Sequence, residues 1–505
     1  MTKYDSIVIG SGNGGLVGAL NLAKHGKKVL LLEKHNVPGG CATTFVRGRF
    51  EFDTALHQLY GINEDPYGNK GLLRKIFEKL GIYNKIKFVN QEEAFSVEVK
   101  GFGGVAVPGA KEGFVKILQA VSPDEAKGIE LFQELVNTAG TEYDKLYDFL
   151  AQDREITAED FPCLFEHGGK LVTEVMSEHF KNPMVTAAYS VLSDYAGMPI
   201  ERLPFMTYAS VYFRGGETCN VNGGSQSISS AIVDEFESCG GTFMCNTKVK
   251  ELLIEDGKVT GVLTTKGDVF KADSVLCNVN KTRVYVDMID EKHVSDEVFM
   301  NLKVSTPAES VFAVFLGLNC SYQEAGIKHG TNFVINPMIE TKTPFDVTMR
   351  RTDRDIKGLY YSCYNIDDPE YSDPGTCVIS MLSQQTSEHW MQMAPAQYHE
   401  EKMKFGTKVL DFFLDLYPDA RNHIEEIEMA TPLTFQNYLG SLGGSIYATE
   451  PNIKDYIANK LEVRSPIKGL YFCGCSVLMG GFDMTYKSGK AASDLMLRDF
   501  EKEEK

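Results

Sequence analysis

The 505-residue chain carries 51 basic and 69 acidic side chains, a formal charge of −18. That length suffices for two domains with separate cores, and the acidic balance excludes non-specific nucleic-acid binding and strong attraction to anionic lipid. The longest clean apolar run, 311–316, is far too short to span a membrane, and no basic-plus-apolar leader precedes the first motif. The cytosol is therefore the expected compartment, with peripheral membrane contact left open.

The first elements carry the most information. Residues 6–9 form a short apolar run rich in β-branched side chains, suited to the buried centre of a parallel sheet. Gly10-Ser11-Gly12-Asn13-Gly14-Gly15 follows, then a predicted helix over 14–25 and a second buried strand over 28–32. Gly10 permits the tight turn, Gly12 lets backbone approach a pyrophosphate, and Gly15 allows close helix–strand packing. The helix N-terminus then faces the phosphates. Glu33 ends the second strand 21 residues after Gly12, where a carboxylate can hold ribose hydroxyls and repel a 2′-phosphate. These parts together predict a dinucleotide fold that disfavours NADP. The turn alone does not separate FAD from NAD.

The next motifs do. Glu33-Lys34 leads to Gly39-Gly40-Cys41-Ala42-Thr43-Thr44, and then to Phe50-Glu51-Phe52-Asp53-Thr54-Ala55-Leu56-His57-Gln58-Leu59-Tyr60-Gly61. Further on stand Asn222-Gly223-Gly224-Ser225, the strand 272–278, Cys473-Gly474-Cys475, and Gly480-Gly481-Phe482-Asp483-Met484. These segments resemble the phytoene desaturase superfamily, above all its carotenoid isomerase and retinol saturase branch. Ala55 replaces the usual glycine of that pattern, and Cys475 stands where some flavoproteins place an acid. The resemblance implies an α/β fold: a glutathione-reductase-like, Rossmann-type FAD domain with an inserted α+β substrate domain. The expected FAD domain is 1–75, 220–285 and 455–505, and the substrate domain 76–219 and 286–454. It further implies non-covalent FAD held by Gly10, Gly12, Asn13, Gly14, Gly15, Glu33, Lys34, Gly39, Gly40, Cys41, Thr43, Val249, Asn278, Gly474, Gly481, Asp483 and Met484. Val249 would act through its backbone beside the adenine.

Between these motifs, helical spacing predicts helices over 71–80 and 112–121, and the segment 95–107, broken by Gly101-Phe102-Gly103-Gly104, predicts a hairpin. Ser122-Pro123-Asp124-Glu125 reads as a capping box opening a helix to about 150. An apolar helix over 183–196 should end at Gly197-Met198-Pro199, Gly257 should turn a hairpin, and 310–318 should be a buried strand. Eleven scattered cysteines include no CxxC pair, and Cys473-x-Cys475 lacks partners for zinc. They read as free thiols, with no metal site.

The remaining features bear on the substrate. With 23 Tyr, 30 Phe and 18 Met against one Trp, segments such as 187–192 and 205–208 suit either an apolar tunnel or ordinary core. The resemblance favours a long apolar alkene. His57 and Tyr60 are the candidates to protonate a carbon as hydride arrives. Asp53 is expected to anchor its turn through backbone N–H groups, and Tyr438 and Tyr447, flanking 440–444, to line the pocket. Two chemistries stay open. One acts on a carbon–carbon double bond of a polyene, retinoid, terpenoid or unsaturated fatty acyl chain, by saturation, desaturation or cis/trans isomerisation. The other is amine-oxidase-like oxidation of a C–N bond on the same kind of fold. A flavin-binding scaffold is the non-enzymatic alternative. No second complete Rossmann unit is present, so electrons should come from, or go to, an external partner.

Overall fold

The computed structural model describes residues 3–55, 58–63, 70–108, 111–212, 218–336, 352, 355–451, 462–477 and 479–503. Strand Lys3–Ile9 runs parallel to Val29–Leu32 on one side and to Val269–Cys277 on the other. Thr242–Met244 extends the sheet beyond Val29–Leu32. On the other edge, the end of Val269–Cys277 pairs in parallel with Leu470–Phe472, while its start pairs antiparallel with Lys258–Thr264. Val249–Glu255 completes that meander through the expected turn at Gly257. The central apolar runs Ile7–Ile9 and Val29–Leu32 are buried. Asn13–Lys24 packs against the long C-terminal helix Phe482–Glu503.

A second seven-stranded sheet orders its strands as 424–430, 310–318, 377–385, 358–363, 331–335, 93–99 and 103–108. Ser310–Leu318 is buried along its whole length, flanked by antiparallel neighbours on both sides. The hairpin Glu93–Val99 with Gly103–Pro108 forms as expected and joins this sheet through a parallel pairing to Thr331–Ile335. Trp390 lies stacked on Phe312 beneath it. A helical layer covers the remainder. Its longest member, Ala126–Gln152, buries Ile129, Phe132, Val136, Tyr143 and Leu146 along one face.

Two local expectations differ from the structure. The predicted capping box does not form: Pro123–Glu125 is a separate 3-10 turn, and Ser122 makes no cap to backbone. The Glu125 carboxylate instead accepts hydrogen bonds from the backbone N–H groups of Lys181 and Asn182, 2.8 and 3.0 Å away. A tertiary partner outcompetes the local one. The segment 183–196 is an α-helix only over Pro183–Ser190 and tightens to a 3-10 helix over Val191–Ala196 before Gly197. Among the described residues no helix is long and apolar enough to cross a membrane.

Candidate active site

The site is built where the turns after parallel strands converge. The Ser11 backbone N–H and hydroxyl both donate to one Glu33 oxygen, at 2.8 and 2.7 Å, and the His35 N–H donates to the other at 2.8 Å. Glu33 therefore fixes the glycine turn to the end of its own strand. The Gly39-Gly40 turn lies against this loop, with Gly39 N–H donating to Ser11 C=O at 2.9 Å. A Cβ on Gly15 would fall 2.0 Å from the Gly10 carbonyl, so no other residue allows this helix to start so close to the strand. Gly474 has φ of +75°, and a Cβ there would sit 2.1 Å from Asn278 Oδ1. Asn278 stands beneath the crossing, its side chain also close to Gly12 and Gly14.

A cavity of about 700 Å³ opens above these turns. Asn13, Glu33, Gly40, Cys41, Thr43, Gly481, Asp483, Met484 and Tyr60 all line it. Gly10, Gly12, Gly14, Gly15, Gly39, Gly474 and Asn278 shape the turns behind the wall. Lys34 points its ammonium at the Asn437 carbonyl, 2.9 Å away. Val249 begins a strand, paired with Thr264, and is not on this wall. His57 lies outside the described residues; its neighbours Ala55 and Gln58 are on the wall. Tyr447 lines the cavity, and Tyr438 packs edge-on against His35 at its rim.

The cavity has the features a dinucleotide requires. Asn13 donates to Thr485 Oγ1 at 3.2 Å and to Phe482 C=O at 3.4 Å, tying the first helix to the last. Its Oδ1 is buried on the cavity wall with no partner among the described residues. No side chain caps the start of Asn13–Lys24, and its first turn holds no acid. That leaves N–H groups and the positive end of the helix dipole for a pyrophosphate.

A family model for flavin-containing amine oxidoreductases matches residues 14–497. The chain belongs to this family. As a member of it, the protein is an FAD-dependent oxidoreductase. Among curated proteins it is 24% identical to all-trans-retinol 13,14-reductase of Danio rerio, over 95% of this chain and 83% of that one. It is also 24% identical to the chloroplastic prolycopene isomerase of Daucus carota, over 95% of this chain and 77% of that one. These relatives bear out the resemblance to the retinol saturase and carotenoid isomerase branch. In fold, it superposes on a crystal structure of an oxidoreductase from Methanosarcina mazei with a TM-score of 0.65 at 17% identity, covering 99% of this chain and all of that one.

Two further features of this flavoenzyme were visible in part. Asp53 is 1% exposed; one oxygen accepts from Ala55 N–H at 3.0 Å and the other from Ser225 N–H at 2.6 Å, at the start of helix Gly224–Ser238. It thus anchors its own turn as expected and, beyond that expectation, ties the turn to a distant helix. Asp53→Ala should strand both donors and destabilise the FAD-loaded protein by about 2–4 kcal/mol, read by denaturant unfolding; Asp53→Asn, which keeps one acceptor, should cost less. Burial pushes the Cys41 thiol up to about 12, with Cys475 and Asp53 adding to the effect, so it is a neutral thiol rather than a nucleophile near neutral pH. Gln58, Tyr195, Glu309 and Phe333 also line the cavity. Gln58 falls inside the 50–61 motif without having been singled out there; neither motif nor periodicity marked the other three, which reach the wall from separate parts of the chain.

Proposed function

We propose that this flavoenzyme acts on a carbon–carbon double bond of an elongated apolar polyene, by saturation, desaturation or cis/trans isomerisation. The observation that carries this reading is the continuity of the cavity. From the glycine turns it runs into a wall of Phe315, Phe333, Tyr360, Leu382 and Phe435. Such a wall pays for desolvating a hydrocarbon and does little for a charged amine. The names of the relatives, a retinol reductase and a prolycopene isomerase, lend the same support. On this reading residues 1–75, 220–285 and 455–505 hold FAD, and 76–219 and 286–454 hold the substrate.

Bound FAD supplies hydride exchange, with a separate electron donor or acceptor restoring its oxidation state. The first helix orients the pyrophosphate, Glu33 the ribose, and the aromatic wall excludes water from the alkene. Burial raises the Tyr60 phenol well above its ordinary value, Asp483 adding to the effect, and its hydroxyl donates to Gln58 Oε1 at 2.9 Å. The proton role therefore falls first to His57. His57→Gln is expected to keep FAD and lose about 100-fold or more in turnover. Normal turnover in that variant would move the role elsewhere.

Anaerobic flavin spectroscopy tests the reading as a whole. All-trans-retinol or prolycopene should perturb the flavin spectrum, and small primary amines should not. Rapid flavin reduction by an amine, with no response to either polyene, would establish the C–N alternative. Product mass then assigns the reaction: two hydrogens gained, two lost, or none.

A further inference from the structure

The C-terminal helix Phe482–Glu503 carries a buried ion group that leads from the cavity to the surface. At the inner end Asp483 lines the cavity, and its charge reaches Tyr60 on the same wall. One turn on, the Lys487 side chain is 1% exposed, its ammonium 3.2 Å from Asp483 Oδ2 and 3.1 Å from Asp144 Oδ1. Asp144 belongs to the helix Ala126–Gln152, which packs against the first, and its side chain is 23% exposed. Asp148 is exposed one turn further along that helix. Desolvation and the Asp144 charge raise the Asp148 carboxyl, Lys490 and Lys75 oppose the rise, and Asp494 adds to it. Apolar side chains of the same volume would join two helices as well as a buried ion group does. Packing therefore does not by itself account for this one. Three ionisable side chains, each within hydrogen-bond reach of the next, connect water to the cavity.

We propose that Asp144, Lys487 and Asp483 conduct protons between solvent and the flavin cavity. Hydride exchange at a flavin is accompanied by a proton, and a ligand that fills the cavity leaves no water there to carry it. The Lys487 ammonium has three N–H donors, so it can give a proton to Asp483 Oδ2 and then take one from Asp144 Oδ1. Water returns a proton to Asp144, and Asp148 stands beside it as a second surface carboxyl that holds a proton more readily than usual. One proton enters for each that leaves, the lysine ends as the ammonium it began as, and no electron moves. Asp144 and Lys487 act through Asp483, the member on the cavity wall. The path rests on the flavin chemistry of the family, not on the polyene reading, and it stands whichever group finally meets the substrate.

The test injects electrons into the FAD-loaded protein with a flash and a deazaflavin photodonor, and follows protonation of the reduced flavin by its absorption. No substrate is needed. Asp144→Asn and Asp483→Asn should each slow protonation by about 100-fold, the lower end of what a positioned acid contributes. Acetic acid, small enough to take the place of the missing surface carboxyl, should restore the rate in Asp144→Asn as its concentration rises. Asp144→Glu keeps a carboxyl and should keep the wild-type rate, as should Glu134→Gln, exposed on the same helix and off the path. Retained flavin colour shows that a variant is folded, and either Asn variant alone decides the matter. Unchanged protonation in a folded Asn variant overturns the path. Slowing of Asp144→Asn that acetic acid does not relieve, or that Asp144→Glu or Glu134→Gln shares, shows instead that the group only holds the shape of the site, and overturns it as well.

Discussion

Glu33→Arg is expected to purify as a colourless protein that does not regain FAD at micromolar cofactor. The carboxylate accepts three short hydrogen bonds, from Ser11 N–H, Ser11 Oγ and His35 N–H. A guanidinium can accept none of them and would set a cation against those donors. Each hydrogen bond to a charged group contributes about 1.5–3 kcal/mol, so their loss releases the glycine turn that shapes the cofactor site, and with the ribose acceptor also gone retention of the cofactor should fall by about 100-fold or more. Glu33→Gln keeps one amide oxygen and should lose less, about 10-fold. The measurement is FAD dissociation followed by flavin fluorescence. Unchanged affinity in Glu33→Arg would show that the carboxylate neither shapes the turn nor meets the ribose.

Glu33 also shows how much of the site was legible in the chain. Its position after a second buried strand was readable, because strand, glycine turn and helix have fixed lengths and the acid must fall at the end. Its use as a brace for Ser11 was not, since hydrogen bonds from a loop to a neighbouring strand leave no periodic trace. Asp53 was readable as a turn anchor, but its second partner, Ser225, lies 172 residues away. The same distance hid the aromatic wall of the cavity. Phe315 and Phe333 come from two strands whose inward faces are set by the register of the second sheet, and Phe435 from the helix Pro432–Leu439. Aromatic composition predicted that an apolar wall could exist without saying which rings form it. The failed capping box at Ser122 has the same cause, a long-range partner taking the carboxylate that local sequence had assigned.

The second large effect is expected at Lys487. This lysine is almost fully enclosed, its side chain 1% exposed, with its ammonium 3.1 Å from Asp144 and 3.2 Å from Asp483. Asp483 precedes it by one helical turn and lines the cavity. Removing one member of a buried ion group costs about 3–5 kcal/mol, because the partner keeps its desolvation penalty and loses its compensation. Lys487→Met should therefore destabilise the protein by about that amount in denaturant unfolding of the FAD-loaded form. Asp483→Asn should cost much less, since Lys487 keeps Asp144 and the amide keeps the shape. The decisive variant combines the two. With Asp483 neutral, methionine at 487 no longer strands a carboxylate beside the cavity, and Asp144, 23% exposed, retains access to water. The double variant should recover more than half of the loss seen in Lys487→Met. Strictly additive losses would show instead that Lys487 matters through packing of its methylene chain, and that the charge on Asp483 is sustained by other groups.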